Sequence, residues 1–252
     1  MKKKVYLLLL VVASLALPSC KSSPKSEESV SNINNVLQDS VEAILEKHLV
    51  VYGAMDGVAI VMETESGKIR TMVGLEAKGD STYERVDSLA ASKHSSALMR
   101  TVSVLAALNT GKVKPDDMFD SGEGIFVYDN DTIYDHNWRK GGYGELTLRQ
   151  ALAYSSDVAI TRAVDEALPD KKDFLASVRK MSFGQPLEVE GMKLDSCVQD
   201  SEMPWCYYAM GFQEITPLQM LAFYNAIANK DSIASPSSIA DIHRMLEGVV
   251  SK

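Results

Sequence analysis

The sequence predicts an α+β fold that is predominantly helical. Two β-rich runs, GVAIVME (57–63) and KIRTMVG (68–74), flank the turn signal at 64–67 and predict an N-terminal β-hairpin. After the hairpin the apolar residues recur with helical spacing, in some six stretches. Hydrophobic residues make up 46% and charged residues 24% of the 252 positions. This ordinary globular composition excludes a collagen-like chain, a largely disordered chain and a polytopic membrane protein.

The first residues have the pattern of an export signal. Three lysines at 2–4 precede an apolar run (5–17) that is short for a membrane span, and the run ends in Leu-Pro-Ser followed by Cys20. This ending resembles the lipobox of bacterial lipoproteins, which implies a signal peptide at 1–19 and an acylated Cys20. The alternative is a plain secretory signal that happens to contain a cysteine. We therefore expect an exported, membrane-anchored lipoprotein of the periplasm or cell envelope.

Residues 20–35 are polar and lack hydrophobic periodicity, so we interpret them as a lipidated, flexible tether. Export would place the remaining cysteines, Cys197 and Cys206, in an oxidising compartment. They could form a short-loop disulfide or stay as two buried thiols, because a separation of nine positions in sequence does not fix the distance between them. The sequence leaves both alternatives open.

Residues 36–252 show no internal repeat and no linker, so we expect one domain. Its first element is a helix at 36–49, followed by the hairpin. The apolar residues on one face of that helix are Val36, Leu37, Val41, Ile44, Leu45 and Leu49.

Local signals mark where the later helices begin and end. The stretch 97–111 has a buried apolar stripe and ends at Gly111, a typical residue after a helix C-terminus. Capping-box patterns at 147–150 and 216–219 predict two further helix starts, the second with Pro217 at the favoured first position. The apolar spacing at the end of the chain predicts a last helix through Ile239, Ile242, Leu246 and Val249.

Charge and residue spacing exclude several function classes. A formal net charge of −8 argues against a nucleic-acid partner. The sequence contains no HExxH or CxxC pattern, and the four histidines show no metal-ligand spacing, so we predict no metal site and no cofactor. The glycines at 141–144 fit a turn. The histidines are His48, His94, His136 and His243.

Four segments in order resemble the transpeptidase domain of penicillin-binding proteins, of the cell-division type found in the Bacteroides group. They are the first helix with its hairpin, VLAALNTGKVKPDDMFDSGEG (104–124), DHNWRKGGYGELTLRQALAYSSDVAITRAVD (135–165) and FQEITPLQMLAFYNAIAN (212–229). The resemblance covers nearly all of 36–250. It implies a partial β-lactamase/transpeptidase-like fold, with the N-terminal hairpin beside a helical subdomain. In the family the stretch at 135–138 is a loop near the cleft, so the resemblance implies a structural role for this polar cluster rather than a catalytic one.

The family's chemistry depends on three motifs, and the resemblance assigns positions to the first two. Counting back from the segment at 104, the nucleophilic serine position is Ala97 and the lysine position is Arg100. Alanine cannot attack a carbonyl, and a guanidinium keeps its proton, so neither residue can perform the family's role. The neighbouring Ser95 and Ser96 have no lysine three residues further on, and we interpret them as helix caps.

The second motif, Ser-x-Asn, corresponds to Ser155, Ser156 and Asp157. Here the resemblance implies substrate binding by Ser155 and position 157, but a carboxylate replaces the amide and would repel an anionic peptide terminus. A structural interpretation is equally open, in which a helix breaks at this point and Asp157 lies in the first turn of the next helix. The third motif, Lys-Thr-Gly or Lys-Ser-Gly, does not occur in the sequence.

The resemblance therefore implies a degenerate transpeptidase of peptidoglycan synthesis that lacks the last three strands of the family's sheet. We expect it to be catalytically inactive and to act by binding or regulation. An active serine D,D-transpeptidase or carboxypeptidase with a relocated nucleophile, and a decayed gene product or fragment, are the alternatives. Expected partners are the membrane through Cys20, a peptidoglycan stem peptide or β-lactam bound weakly, and a protein partner or second copy at an open hairpin edge.

Overall fold

The computed structural model describes residues 7–11, 32–79, 82–95, 97–128, 131–198 and 214–250. Cys20 and Cys206 lie outside the described residues. The chain forms two compact units, and both are assembled from separate stretches of sequence. The first unit comprises 1–93, 186–194 and 216–225, and the second comprises 94–185, 195–215 and 226–252.

The first helix, α1 (Asn35–Tyr52), confirms the predicted helical segment. The side chain of Asn34 accepts a hydrogen bond from the Leu37 amide and caps its start, and Gly53 ends it with a left-handed φ of 59°. The predicted apolar face is wider than the surface that covers it. Leu45 and Leu49 are buried, whereas Val36 and Ile44 are 78% and 52% exposed.

The predicted hairpin is confirmed and belongs to a larger sheet with the strand order β1-β2-β3-β4. Strand β3 runs well past its predicted end and pairs with a further strand that the sequence did not predict. The bounds are β1 (Leu7–Val11), β2 (Asp56–Met62), β3 (Ile69–Gly79) and β4 (Thr82–Arg85), followed by a 3₁₀ turn at Asp87–Ala91.

One edge of the hairpin, that of β2, carries β1 in the structure. Residues Leu7–Val11 of the predicted export signal pair in parallel with 57–61 of β2. A run of five consecutive aliphatic residues suits an extended strand beside an apolar neighbour, which gives the pairing its physical reason.

Apolar side chains cover both faces of β2 and β3. On one face Leu45 and Leu49 of α1 pack against Ala59, Val73 and Leu75. On the other face lies a second cluster, to which the short hairpin of β10 (Leu187–Val189) and β11 (Met192–Leu194) and the helix α6 (Pro217–Ala228) contribute. Its buried members are Val58, Ile60, Met62, Ile69, Met72, Ala90, Leu194, Leu218 and Leu221.

The second unit holds the predicted helical subdomain. Its capping box is confirmed at Thr147, whose hydroxyl accepts from the Gln150 amide at 3.1 Å, and the glycine stop is confirmed at Gly111, with a φ of 75°. The helices are α2 (Met99–Asn109), α3 (Leu148–Tyr154), α4 (Asp157–Ala167), α5 (Lys171–Lys180) and α7 (Pro236–Val250). In the first unit, the Thr216 hydroxyl likewise accepts from the Gln219 amide at 3.1 Å at the start of α6.

The expectation of helix throughout this part of the chain is wrong, because short antiparallel strand pairs connect the helices. Strand β5 pairs with β12, β6 with β9 and β7 with β8. Each strand has only two to four residues, too few for a clear alternation of apolar and polar positions. The bounds are β5 (His94–Ser95), β6 (Met118–Asp120), β7 (Ile125–Tyr128), β8 (Asp131–Tyr134), β9 (Glu145–Thr147) and β12 (Glu214–Ile215).

Two local predictions have different outcomes. The expectation that Ser95 caps α2 is wrong, since Ser95 lies in β5 and the N-cap position belongs to Leu98; Ser96 is outside the described residues. Cys197 is buried, and its amide donates to the Gly184 carbonyl at 2.9 Å. Because Cys206 is not described, the disulfide stays a prediction.

Among the described residues the helices are all too short or too polar to cross a bilayer.

Candidate functional site

The first assigned position, Ala97, lies in a turn just before α2 and is exposed. Arg100 follows in the first turn of the helix, and its amide donates to the Ala97 carbonyl at 3.2 Å. The guanidinium folds back over the same turn, with Nη1 lying 3.4 Å from the Ala97 carbonyl oxygen. The two positions are therefore one helical turn apart, which is the relationship that the family's serine and lysine require.

The second assigned motif lies at a break between α3 and α4. Ser155 adopts a left-handed φ of 56° after α3 and is exposed. Ser156 is the N-cap of α4 and accepts from the Ala159 amide at 3.1 Å, and Asp157 is the first helical residue. The structural interpretation of this motif is thus confirmed. Substrate binding by Ser155 and Asp157 stays a prediction.

Arg100 and Asp157 form an ion pair across 57 positions of sequence. Arg100 Nε donates to Asp157 Oδ1 at 2.6 Å, and Nη2 donates to Oδ2 at 3.0 Å. This is the bidentate geometry in which a guanidinium binds a carboxylate most strongly. Each side chain is only 19% exposed, so the pair is largely screened from water.

The ion pair brings together three of the four positions that the resemblance assigned: Ala97, Arg100 and Asp157. It also changes the expected electrostatics of the motif. The sequence suggested that the Asp157 carboxylate would repel an anionic peptide terminus, but the guanidinium compensates that charge directly. Because both carboxylate oxygens accept from Arg100, Asp157 offers a ligand less than an unpaired carboxylate would.

Asp135 makes two buried side-chain contacts that the sequence did not predict. Its side chain is fully buried and accepts from the Ser156 hydroxyl at 2.8 Å and from the Val158 amide at 3.0 Å. The carboxylate thus satisfies two donors at the start of α4, where the helix dipole also favours a negative charge. The structural role expected for the 135–138 cluster is confirmed at this residue.

A glycine-rich loop fits closely around Asp135. Its amide donates to the Gly124 carbonyl at 2.9 Å. A Cβ added at Gly142 would lie 2.3 Å from the Gly122 carbonyl oxygen, so no larger residue fits there without a shift. Gly141, Gly142 and Gly144 all have positive φ, which confirms the turn predicted for this segment.

Three ring side chains line the surface beside this loop. Tyr143 and Tyr154 stack with centroids 5.4 Å apart, and the Tyr143 hydroxyl lies 3.0 Å from His136 Nε2. Burial raises the pKa of Tyr143 above its ordinary value of about 10, and the charge of Asp135 and the nearby Tyr154 raise it further. Tyr143 therefore keeps its proton at neutral pH and remains a hydrogen-bond donor.

Chemically, the site is a helix junction held by the Arg100–Asp157 ion pair, and the exposed Ser155 lies at this junction. The position assigned to the general base holds a guanidinium, which donates hydrogen bonds but does not accept a proton. Within the described ranges, no group of three His, Cys, Asp or Glu residues could hold a metal ion.

A family model described as the penicillin binding protein transpeptidase domain matches residues 57–252. Penicillin-binding protein 1A of Aquifex aeolicus is 27% identical over 191 residues, which are 75% of this chain and 23% of that protein. The chain therefore spans about a quarter of the length of this curated relative.

Solved structures show the same fold. The transpeptidase domain of Burkholderia pseudomallei penicillin-binding protein 3, in its apo form, has a TM-score of 0.69 and 19% identity, with 90% of this chain and 72% of that chain covered. The D,D-transpeptidase domain of a peptidoglycan glycosyltransferase from Eggerthella lenta has a TM-score of 0.68 and 19% identity, with 87% and 65% covered.

Proposed function

This chain belongs to the family of penicillin-binding protein transpeptidase domains, and we propose that it acts in cell-wall synthesis by binding or regulation, without acyl transfer. The family membership supports the cell-wall context. One relative is named penicillin-binding protein 1A, and one similar structure is the D,D-transpeptidase domain of a peptidoglycan glycosyltransferase. The loss of catalysis is argued from this chain's own residues.

One observation carries the proposal: a bidentate ion pair lies where the family places its lysine and its asparagine. An acyl-transfer site of this family needs a hydroxyl at position 97 and an amine at position 100 that can take its proton. Here position 97 is a methyl group, and position 100 is a guanidinium held by Asp157 and the Ala97 carbonyl. The geometry favours a structural role for positions 97, 100 and 157, where the family has catalytic and substrate-binding residues.

The relocated-nucleophile alternative has little support in the described residues. The sequence has two literal Ser-x-x-Lys matches. Ser22 with Lys25 lies outside the described residues, and Ser177 with Lys180 lies within α5, whose Phe174, Leu175 and Val178 are buried. Ser155 is exposed. The nearby carboxylate of Asp157 accepts hydrogen bonds from Arg100 with both oxygens, which makes it a poor proton acceptor for the Ser155 hydroxyl. Among the described residues, no hydrogen bond joins the hydroxyl of Ser155 or Ser177 to a side chain that could take its proton.

The proposed location is the cell envelope, with Cys20 acylated and the folded part held on the tether 20–35. Acyl chains anchor a protein stably when two or more insert together. In this setting the exposed Ser155 and the ring cluster of Tyr143 and Tyr154 form the surface that we expect to meet a stem peptide or β-lactam weakly.

Labelling with a fluorescent penicillin tests the proposal. The full chain, purified with its own membrane anchor, should give no covalent band after denaturing electrophoresis, because acylation needs a competent nucleophile. Ser96→Ala, Ser155→Ala and Ser177→Ala serve as matched controls. A band in the parent chain that disappears in any one of these variants would assign the nucleophile and establish the enzyme alternative.

A further inference from the structure

Five ring side chains lie on the surface of the second unit where β8 leads into the glycine-rich loop and where α3 ends. We call this set the aromatic strip: Tyr134, His136, Trp138, Tyr143 and Tyr154. The ring centroids of Tyr134 and Trp138 are 5.3 Å apart. Those of His136 and Tyr143 are 5.7 Å apart, and those of Tyr143 and Tyr154 are 5.4 Å apart. The strip therefore consists of a ring pair and a group of three rings.

The backbone brings the pair and the group of three to the same side of the chain. Ile133 and Asp135 are buried, whereas Tyr134 and His136 are exposed. Successive side chains along an extended chain point to opposite sides, so Tyr134 and His136 share the outer side. The strip thus extends from the end of β8 to the junction of α3 and α4.

The two exposed tyrosines of the strip are each held by a second ring. Tyr134, which is 49% exposed, packs against Trp138, and Tyr154, which is 39% exposed, stacks on Tyr143. The Tyr143 hydroxyl in turn lies 3.0 Å from Nε2 of His136. Rings that are ordered before binding lose little conformational entropy when a ligand packs on them. Tyr134 and Tyr154 therefore offer two preformed ring surfaces.

The chemistry of the strip favours a sugar as its ligand. Each of its rings combines an apolar face with a polar edge, which is a phenol hydroxyl, an indole N–H or an imidazole nitrogen. A pyranose ring has the complementary construction, because its C–H groups form an apolar face and its hydroxyls form a polar rim. A lipid tail would bury the polar edges without partners, at a cost in free energy. Two separate tyrosine faces suit a ligand that repeats its rings along a chain.

Two cations flank the strip in a chain whose formal net charge is −8. The Arg139 guanidinium lies over the Trp138 ring, 4.8 Å from its centroid, and Lys140 follows it and is exposed. The two cations favour a ligand with carboxylates, whereas the acidic chain as a whole disfavours a densely charged polyanion such as a nucleic acid. A glycan strand that carries carboxylates at intervals meets both conditions.

We propose that the aromatic strip binds the carboxylate-bearing glycan strand of peptidoglycan, with sugar rings packed on Tyr134 and Tyr154 and carboxylates near Arg139 and Lys140. This inference rests on the cell-wall role in the proposed function and extends that role from the peptide part of the polymer to its sugar part. The strip is continuous with the surface at Ser155 that we expect to meet a stem peptide. Because the stem peptides are covalently attached to the glycan, a ligand at one surface places the other part nearby.

Binding to immobilised glycan strands tests the assignment. The strands are freed from their stem peptides with an amidase and coupled to beads through their reducing ends. The full-length chain in detergent should bind these beads, and Tyr134→Ala and Tyr154→Ala should each weaken the binding about tenfold. Tyr52→Ala is the matched control, because it removes an exposed tyrosine that stacks on His48 in the first unit, and it should bind like the parent chain.

A neutral oligomer of N-acetylglucosamine separates ring packing from charge. Arg139→Gln with Lys140→Gln should weaken the binding to the glycan strands and leave the binding of the neutral oligomer unchanged, whereas Tyr134→Ala should weaken both. If Tyr134→Ala does not fold, the fluorescence of Trp138 replaces it. Trp205→Phe leaves Trp138 as the single indole of the chain, and the oligomer should change its emission saturably.

Several outcomes would overturn the inference. They are a parent chain that does not bind the glycan beads, unchanged binding in both tyrosine variants, an equal loss in Tyr52→Ala, and a Trp138 emission that does not respond to the oligomer. A covalent penicillin band would instead overturn the proposed loss of catalysis and would leave the binding results as they are. The two failures are therefore distinguishable.

Discussion

Arg100 holds both carboxylate oxygens of Asp157 while it also lies 3.4 Å from the carbonyl of Ala97. The guanidinium thereby connects the turn before α2 with the first turn of α4. Both partners are substitutions relative to the family motifs that the positions resemble. The pairing explains why a carboxylate is acceptable at position 157, since an arginine is present to compensate it.

Breaking the ion pair from one side should destabilise the second unit. Losing one partner of a fully buried pair costs about 3–5 kcal/mol. With about a fifth of each side chain exposed, we expect about 2 kcal/mol for Arg100→Met or Asp157→Asn, because each leaves one group without its partner. Urea denaturation measures the change in the free energy of unfolding.

The double variant distinguishes pairing from two separate effects. Arg100→Met with Asp157→Asn should cost clearly less than the sum of the single variants. The exposed pair of Arg149 and Asp116, with 81% of the aspartate side chain exposed, is the control, and Arg149→Met should cost less than about 1 kcal/mol. Strict additivity at Arg100 and Asp157 would contradict the coupling.

Restoring the family's first motif should not restore acylation. Ala97→Ser with Arg100→Lys supplies the hydroxyl and the amine, but it leaves Asp157 in place, and the 252-residue chain contains no Lys-Thr-Gly or Lys-Ser-Gly. We expect no fluorescent penicillin band from this variant or from the triple variant with Asp157→Asn. Labelling of the triple variant alone would assign the block to the carboxylate.

Removing the buried carboxylate of Asp135 should release the start of α4. Asp135→Ala leaves the Ser156 hydroxyl and the Val158 amide without their acceptor, and we expect a loss of about 3 kcal/mol in urea denaturation. Asp135→Asn keeps one acceptor oxygen and should cost about half as much. Asp120→Ala, which removes an exposed turn contact to Gly122, is the control and should have a much smaller effect. Equal costs at both aspartates would refute the assigned role.

Alkaline pH should weaken the fold through Tyr143. Its pKa is raised in the folded state, so the unfolded chain releases the proton first as the pH rises. The contribution of Tyr143 to the free energy of unfolding is then complete below the ordinary tyrosine pKa of about 10. It is lost as the pH rises from there through the raised pKa of the folded state. In Tyr143→Phe this part of the alkaline slope should vanish, whereas Tyr52→Phe, on the exposed end of α1, should retain it. An unchanged slope in Tyr143→Phe would argue against the prediction.

The sequence predicted correctly the elements that depend on contacts between residues close together in the chain. The capping box at Thr147, the helix stop at Gly111 and the hairpin around 64–67 depend on residues within one turn of each other. The cap expected at Ser95 is wrong because β5 pairs with β12, a contact with residues far along the chain.

The contacts that define the site connect distant residues, and no periodicity reports them. In the sequence, Arg100 and Asp157 are substitutions at two separate motifs. Only the fold shows that their side chains bind each other. Asp135 lay in a segment correctly interpreted as structural, yet its partner Ser156 is 21 positions away. The exposed Val36 and Ile44 of α1 show the converse case, in which an apolar face extends beyond the surface that covers it.

The salt link between α2 and α4 also constrains how this chain could change over generations. Replacing the aspartate by asparagine leaves the arginine without its counter-charge, and replacing the arginine by lysine keeps the positive charge but loses the paired hydrogen bonds to both carboxylate oxygens. Either replacement alone is therefore expected to weaken the connection between the two helices. The two positions are thus epistatic, since each residue is favoured only while the other is present, and a stepwise exchange for the family's lysine and asparagine is expected to pass through less stable chains.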